Sequence, residues 1–596
     1  MSQKTIKIRS VFSLNASKLL SFLFLLVTLS LNGFAQGFLK VEGKKIINEK
    51  GENVLLRGIG LGGWMLQEGY MLKINKDAQQ YRIRERLEDL MGTKQTQEFY
   101  DAWLSNHTRK IDIDSLKAWG FNSVRLPIHY NLYTLPVDKE PVAGQNTWLE
   151  KGFALTDSLL SWCKANNMYL ILDLHAAPGG QGSDLNIADR DPSKPSLWDS
   201  EANQQKTIAL WVKLAERYKN EPYIGAYDIL NEPNWGFQNL EEDKNGTKEK
   251  LNAPLKKLMV DITEAIRKVD QKHIIIIEGN GWGNNYNGIF PVWDKNMVLS
   301  YHKYWNYNDE ASIAHIIKAR DEQNVPVWLG ETGENSNVWF TDAIQLLEKN
   351  NIGWSWWPLK KIGFNNPMEI KSNPNYDSVV RYMNEGGNKP KESNVYSGLM
   401  ELATYVKLEN TIIHKDVIDA MIRQPFSTET KPFKANLIKN NTIINAVDYD
   451  LGRNGYAYFD TDTADYHVST GKRGAGNRGR IYRNDGVDIL KDSTKYEKYY
   501  VTNIEKGEWL QYTVSVEKKG NYNLKLNTAS SQNEGKISIA VNGKIVASDI
   551  SIPNTGNSKT FIPFEIKNIP LNAGKQSIRV ITDTGGYNFS YIQFLK

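Results

Sequence analysis

One cysteine, Cys163, stands in 596 residues. A lone thiol excludes an internal disulfide and any metal site built from several cysteines. Net charge is scarce too. The formal total is +5, and Lys4, Lys7, Arg9 and Lys18 occur in the first 35 residues without an acid, which leaves +1 for the rest. So even a balance gives no electrostatic footprint for nucleic acid. Disorder is excluded by composition, since 40% of residues are hydrophobic and 24% charged. What the chain does have is tryptophan. Sixteen of its 17 Trp lie between Trp64 and Trp357, and only Trp509 lies beyond.

The first residues read as an address. Lys4, Lys7 and Arg9 precede an apolar run over 19–31, and Gly33-Phe34-Ala35 offers small residues for cleavage before Gln36. This is the pattern of a secretory signal peptide over 1–35. The rival, a membrane span, needs about 20 apolar residues. No Cys follows the cleavage site, so a bacterial lipid anchor is not expected. The mature chain is expected to be secreted, periplasmic or on the cell surface. Lacking disulfides there, it must rely on a large core, and its length allows one.

From about Asn53 onward, short apolar segments alternate with amphipathic helical ones. The strand-like segments are 54–60, 122–127, 168–175, 226–231, 273–279, 297–302, 325–331 and 352–357. Several are continuous apolar runs, such as Ile274-Ile275-Ile276-Ile277, as parallel strands buried on both faces require. Eight strand–helix repeats predict an α/β fold, a (β/α)₈ TIM barrel. An open doubly wound sheet is the rival. The Gly-rich stretch from Arg57 to Gly63 is weak support for it, because no helix start follows directly. A helical stretch over 393–423 would complete the barrel's outer layer. Residues 424–441, with Pro425 and Pro432, read as a linker. From 442 to 596 short alternating strands separated by Gly and Asn turns predict an all-β sandwich of jelly-roll type.

Active sites of such barrels lie at the carboxyl ends of the strands. There the sequence places Arg125 and His129, Asp173 and His175, Asn231 and Glu232, Glu278 and Trp282, His302 and Tyr304, Glu331, and Trp356 with Trp357. Each alone is unremarkable, but together they fall on one rim. Glu232 and Glu331 stand out, because strands four and seven can aim both into one cleft. Glycoside cleavage needs such a pair: an acid to protonate the leaving oxygen, and a carboxylate to attack the anomeric carbon or activate water. Repulsion between them would raise the acid's pKa. Arg125 could hold the nucleophile ionised, and Asn231 could bond a sugar 2-hydroxyl. Sugar rings pack their C–H faces on indole. Trp64, Trp282 and Trp357 are the expected platforms, whereas most Trp, including Trp119, Trp162 and Trp211, are expected in the core.

At these residues the chain resembles glycoside hydrolase family five, the cellulase family, over 37–423. The matching stretches are Arg57-Gly58-Ile59-Gly60-Leu61-Gly62-Gly63-Trp64, Val124-Arg125-Leu126-Pro127, Leu172-Asp173-Leu174-His175, Leu230-Asn231-Glu232-Pro233, His302-Lys303-Tyr304 and Leu329-Gly330-Glu331. The resemblance implies Glu232 as acid/base and Glu331 as nucleophile, supported by Arg125, His175, Asn231, His302 and Tyr304, with Trp357 under the sugar beside the cleaved bond. Leu61 to Trp64 followed by Glu68, and Asp173 to Gln181, are most similar to the branch of exo-β-1,3-glucanases and their bacterial relatives. In that branch a Glu near the place of Glu68 helps bind a terminal glucose. His129, counted here among the substrate-binding candidates, stands where that branch usually has Gly, and β-1,4- and β-1,6-acting alternatives stay open.

The last part, over 443–596, resembles carbohydrate-binding module family six. The carriers are the stretch from Tyr482 to Ile489, the stretch from Gly507 to Val514, and Gly586-Tyr587-Asn588-Phe589. In such modules two aromatics sandwich a sugar and an Asn closes the cleft, which implies Tyr482, Phe561 and Asn588. Phe561 replaces the usual Trp, so weaker or altered binding follows. The alternative is that Tyr482 merely packs in a loop. The family commonly carries a structural calcium, but its usual carboxylates are replaced here by Asn445, Val447 and Ser590, and calcium favours charged oxygens.

The expectation is a secreted, retaining β-glucan hydrolase with an appended sugar-binding module. Its boundaries are 1–35 signal, 36–423 barrel, 424–441 linker and 442–596 sandwich. Its partner is a β-glucan polysaccharide or oligosaccharide, and its chemistry needs no metal or organic cofactor. It is expected to be a monomer with no membrane span after signal removal. A β-mannanase or transglycosylase on the same rim, and a non-catalytic surface carbohydrate-binding protein, are the alternatives.

Overall fold

A computed structural model describes residues 37–461, 480–492 and 498–596. The expected signal segment lies outside them. Among the described residues no helix is long and apolar enough to cross a membrane.

Eight strands close a parallel barrel. They are β1 (Arg57–Gly60), β2 (Ser123–His129), β3 (Tyr169–Ala176), β4 (Ile224–Asp228), β5 (Ile274–Glu278), β6 (Met297–Lys303), β7 (Val327–Gly333) and β8 (Gly353–Trp357). Trp354, Ser355 and Trp356 of β8 pair with Arg57, Gly58 and Ile59 of β1 and complete the circle. The helices between them start where the sequence supplies caps. The side chains of Ser200, Asp309 and Ser336 each accept a backbone N–H from the first turn of the helix that follows.

Along most of their length the strands alternate. Leu170, Leu172 and Leu174 of β3 pack outward against the helices, while Tyr169 and Ile171 face the barrel interior. The same parity puts Ala226, Ile274, Ile276, Val298 and Trp328 inside, at the amino-terminal end. A hairpin formed by Lys40–Glu42 and Lys45–Ile47 covers that end with Ile46, joined by Leu39. Further along the same inward positions the residues turn polar: Arg125, Asp173, Asp228, Glu278, Ser300 and His302 are all buried. One barrel interior thus has an apolar floor and a charged top.

Two departures from the expected strands bear on the site. β4 stops at Asp228, not at Asn231, and beyond it Glu232 takes a left-handed backbone with φ 43°. In β7 the ladder slips by one between Tyr301↔Leu329 and His302↔Glu331. Trp328 faces inward and Leu329 outward, so Glu331 would face outward by alternation. The bulge at Gly330 turns it in. A Cβ on Gly330 would lie 2.2 Å from Ser300 Oγ, so the bulge admits no side chain.

Beyond β8, helices Pro374–Glu385 and Glu392–Tyr405 pack on the long helix Gln80–His107, which bends at Gly92. The stretch expected to be helical over 393–423 is two helices, Glu392–Tyr405 and Lys415–Ile422. Residues 424–436 are mostly irregular, and Leu437–Ile438 already pairs with Ser515 and Val516 in the C-terminal unit. That unit is two six-stranded sheets around its own core. Its Tyr482–Asp485 loop is pressed against the barrel, with Arg483, Asn484 and Asp485 buried.

The Gly-rich stretch is a bed for an indole, not a nucleotide loop. A Cβ on Gly60 would lie 2.5 Å from Trp357 Cε3, and one on Gly62 would lie 2.6 Å from Trp357 Cη2. Gly60→Ala should therefore cost about 1–3 kcal/mol in denaturant unfolding, as overpacking does. In a Trp357→Ala background the same change should cost clearly less, and equal costs would show that the contact is not the cause.

Candidate active site

The site is organised around one guanidinium. Arg125, fully buried, reaches from β2 to four carboxylates. Nη1 lies 2.9 Å from Glu331 Oε2 and 3.2 Å from Asp173 Oδ2. Nη2 lies 2.9 Å from Asp228 Oδ2 and 3.1 Å from Glu278 Oε1. The same Nη2 donates to Asn231 Oδ1 at 2.8 Å. Arg125 cannot shed its proton, so it is a fixed positive charge at the barrel centre.

Glu232 lies just past β4. Its backbone N–H donates to Glu278 Oε2 at 2.7 Å, and its Oε1 lies 2.6 Å from His302 Nδ1. His302 Nε2 faces Glu278 Oε1 at 3.2 Å. Burial opposes the charged imidazole, but Glu278, Glu232 and Glu331 outweigh it and hold the pKa of His302 well above its ordinary value. Burial raises the pKa of Glu232 above the usual carboxylate range, only partly offset by His302; repulsion from Glu331 is a smaller contribution. Desolvation, more than the like-charge repulsion expected from the sequence, therefore favours the protonated form of this group. Glu331 itself accepts a hydrogen bond from Tyr304 Oη at 2.5 Å. One ligand-type atom from each of Glu232, His302 and Glu331 lies within 4.8 Å of the others, the one such cluster among the described residues.

A second layer holds the rim. His175 Nδ1 lies 2.8 Å from Asp173 Oδ2, and its Nε2 lies 3.3 Å from Asn231 Nδ2 and 3.7 Å from Glu68 Oε1. Although burial lowers it, Asp173 and Glu68 raise His175 to about 10. Burial raises Glu68 to about 7. Trp357 lies parallel to the His175 ring, centroids 5.2 Å apart, and its Nε1 donates to Tyr70 Oη at 2.9 Å. Trp282, half-buried, donates its backbone N–H to Pro233 O at 3.1 Å, next to Glu232.

Of the residues named from sequence, Glu68, Arg125, His175, Asn231, Glu232, Trp282, His302, Tyr304, Glu331 and Trp357 meet on this rim. His129 does not join them. Its Nδ1 accepts Asn131 N–H at 3.1 Å and its Nε2 lies 2.9 Å from Asp189 Oδ2, so both nitrogens are committed. It lines a separate cavity of about 430 Å³ with Tyr130, Asp189 and Lys194. Trp64 is no platform, for it is 1% exposed and donates to Leu104 O in the core. Trp211 is buried as expected, and Trp119 and Trp162 lean on the same core. Sequence reasoning missed Asp228 and gave Asp173 and Glu278 no role. An acid closing an otherwise apolar strand, as Asp228 does, was the available signal.

In the C-terminal unit Tyr482 and Phe561 do not form the expected facing pair. Tyr482 Oη donates to Asp448 and accepts from Lys434 Nζ at 2.8 Å, and its ring lies 4.7 Å from that of Tyr499. Phe561 packs 5.2 Å from Tyr500. Tyr499 and Tyr500 are successive strand residues, so their side chains leave opposite faces. Asn588 donates to Ser558 O at 2.7 Å and shares the outer face with Tyr500, since their neighbours Phe589 and Val501 pair inward. At the calcium positions Val447 is apolar and buried, and Asn445 donates its amide to Asp448. That set does not fit the ion.

Two carboxylates converging at the top of a parallel barrel define a glycosidase. Residues 78–362 match the family described as Cellulase (glycosyl hydrolase family 5), and residues 480–596 match Carbohydrate binding module (family 6). The chain thus carries a family 5 glycosyl hydrolase domain followed by a family 6 carbohydrate-binding module. A Beta-xylosidase of Phanerodontia chrysosporium is 26% identical over 381 residues, which span 58% of this chain and 75% of that protein. Endoglucanase C of Acetivibrio thermocellus is 23% identical over 369 residues, spanning 52% and 92%. Probable glucan 1,3-beta-glucosidase A of Aspergillus niger is 29% identical over 183 residues, spanning 30% and 41%.

Because the folded pKa of Glu68, about 7, exceeds its ordinary 4.5, the folded state holds an extra proton between those values. Stability is then lost as pH rises through that window. Glu68→Gln should gain Tm relative to the parent, more at pH 8 than at pH 4. An equal difference at both pH values would refute the shift.

Proposed function

We propose that the protein is a secreted, retaining β-glucan hydrolase, with Glu331 as nucleophile and Glu232 as acid/base. The observation that carries this reading is the approach of Glu232, His302 and Glu331 within 4.8 Å. Carboxyl groups about 5–5.5 Å apart leave no room for a water between the second carboxylate and the anomeric carbon, and favour direct attack by that carboxylate.

In the first step Glu331 attacks the anomeric carbon while the protonated Glu232 gives its proton to the leaving oxygen. Arg125 and Tyr304 hold Glu331 in place and keep its charge matched. In the second step Glu232, now ionised, takes a proton from water, and the hydroxide oxygen displaces Glu331 with overall retention. Asn231 is placed by Arg125 to bond the sugar 2-hydroxyl, and Trp357 with Glu68 forms the wall for the terminal sugar. The names endoglucanase and glucan 1,3-beta-glucosidase among relatives support a β-glucan substrate. The module holds the enzyme near polysaccharide and raises effective substrate concentration. We assign its sugar site to the outer face with Phe561 and Asn588, with Tyr482 as part of the module's body. The basic start and apolar run of the first 35 residues support export, and the barrel and module act as one monomer.

Glu331→Gln should lower kcat by on the order of 10⁴-fold or more while the fold is kept. Wild-type rates in this variant would refute the mechanism. Glu232→Ala should be rescued by azide on an aryl glycoside with a good leaving group, giving a β-glycosyl azide. It should also lose the alkaline limb of the parent's pH profile, where activity falls as Glu232 loses its proton. Retention of that limb would assign it to another group.

A further inference from the structure

The loop that follows Glu331 is held from outside the barrel. Glu334 has φ 53°, left-handed for a residue with a side chain, so the chain just past the nucleophile is strained there. Such strain persists only where the surroundings over-determine it. Glu334 is tied to Lys361 on one side. Asn335 and Asn337, both buried, are tied on the other side by the C-terminal module.

The contacts are specific. Asn484 Nδ2 donates to Asn335 O at 2.8 Å and to Asn337 Oδ1 at 3.1 Å. Asn337 N–H donates back to Asn484 O at 2.9 Å. Asn337 Nδ2 bridges Asp416 Oδ2 at 2.8 Å and Asp485 Oδ1 at 2.9 Å, and Asn484 N–H donates to Asp416 Oδ2 at 2.7 Å. Arg483 fixes the module's side of this joint. It binds Asp485 Oδ2 at 2.7 Å and stacks 3.9 Å over the Tyr449 ring. Every partner is buried, so each bond is made away from water, where geometry is enforced most strictly. From Asn335 the path is short: its Nδ2 donates to Tyr304 O at 3.3 Å, and Tyr304 Oη donates to Glu331 Oε1 at 2.5 Å.

We propose that the carbohydrate-binding module supplies a positioning residue to the catalytic centre: Asn484 fixes the loop after β7, and through it Tyr304 and Glu331. The module then acts on turnover itself, apart from any sugar it holds. This inference rests on the hydrolase reading only for its kinetic arm.

The test uses the full chain. In Asn484→Ala, amide exchange over 331–337 should speed up by about tenfold or more, as a locally loosened segment does. On an aryl β-glycoside too short to reach the module, kcat should fall by about 10–100-fold with KM nearly unchanged, the pattern of a misplaced catalytic group. Ile539→Val, a conservative change in the module's own core, should lower Tm and leave both readouts at parental values. Parental exchange over 331–337 in Asn484→Ala would overturn the proposal, and so would kcat within twofold of the parent. Equal effects from Ile539→Val would overturn it too, by reducing the joint to general stability. A parent that cleaves no glycoside would defeat the hydrolase reading, and the exchange comparison would still decide the inference.

Discussion

The rest of the site depends on the burial of one positive charge. Arg125 is surrounded by Glu331, Asp173, Asp228 and Glu278, with no exposed surface of its own. An ion removed from water must recover its solvation from neighbours, and removing a single partner leaves an uncompensated charge inside the fold. This makes the polar top of the barrel collective. Asn231 is oriented because Nη2 needs its oxygen, and His302 can stay charged because Glu278 serves both cations. Glu232 lies beyond this core, bound to it through His302 and its own backbone, and burial there raises its pKa.

The barrel was readable because its strands are buried on both faces and therefore appear as continuous apolar runs. The rim was readable because polar groups end those runs. Arg125, His175, Asn231, Glu232, His302, Tyr304 and Glu331 needed only that argument and the resemblance. What could not be read was direction. Trp64 looks like a platform in the sequence, but Leu104 O takes its N–H in the core. His129 ends a strand like the others, but Asp189, 60 residues away in sequence, takes its ring. Tyr482 has the right neighbours in sequence, and a one-residue parity on the facing strand decides that it leans on Tyr499 and not beside Tyr500. Asp228 gave a signal by closing an apolar strand, but its role exists only once Arg125 arrives from another strand.

The joint between the two units is unusual in kind. Interfaces between domains of one chain are commonly modest and polar and allow relative motion. Here the polar groups are fully buried and reciprocal, with Asn337 and Asn484 exchanging bonds. Such a joint selects one arrangement, and the arrangement it selects includes the backbone just beyond the nucleophile.

The bulge at Gly330 has a consequence for engineering. The sign of the active site is set by counting residues along β7. Smoothing the bulge while keeping every residue would turn the carboxylate toward the helices, whereas removing Gly330 would leave Glu331 opposite His302 and facing inward. Anyone transplanting this strand into another barrel must move the irregularity with it, because the glutamate alone carries no instruction about which way to face.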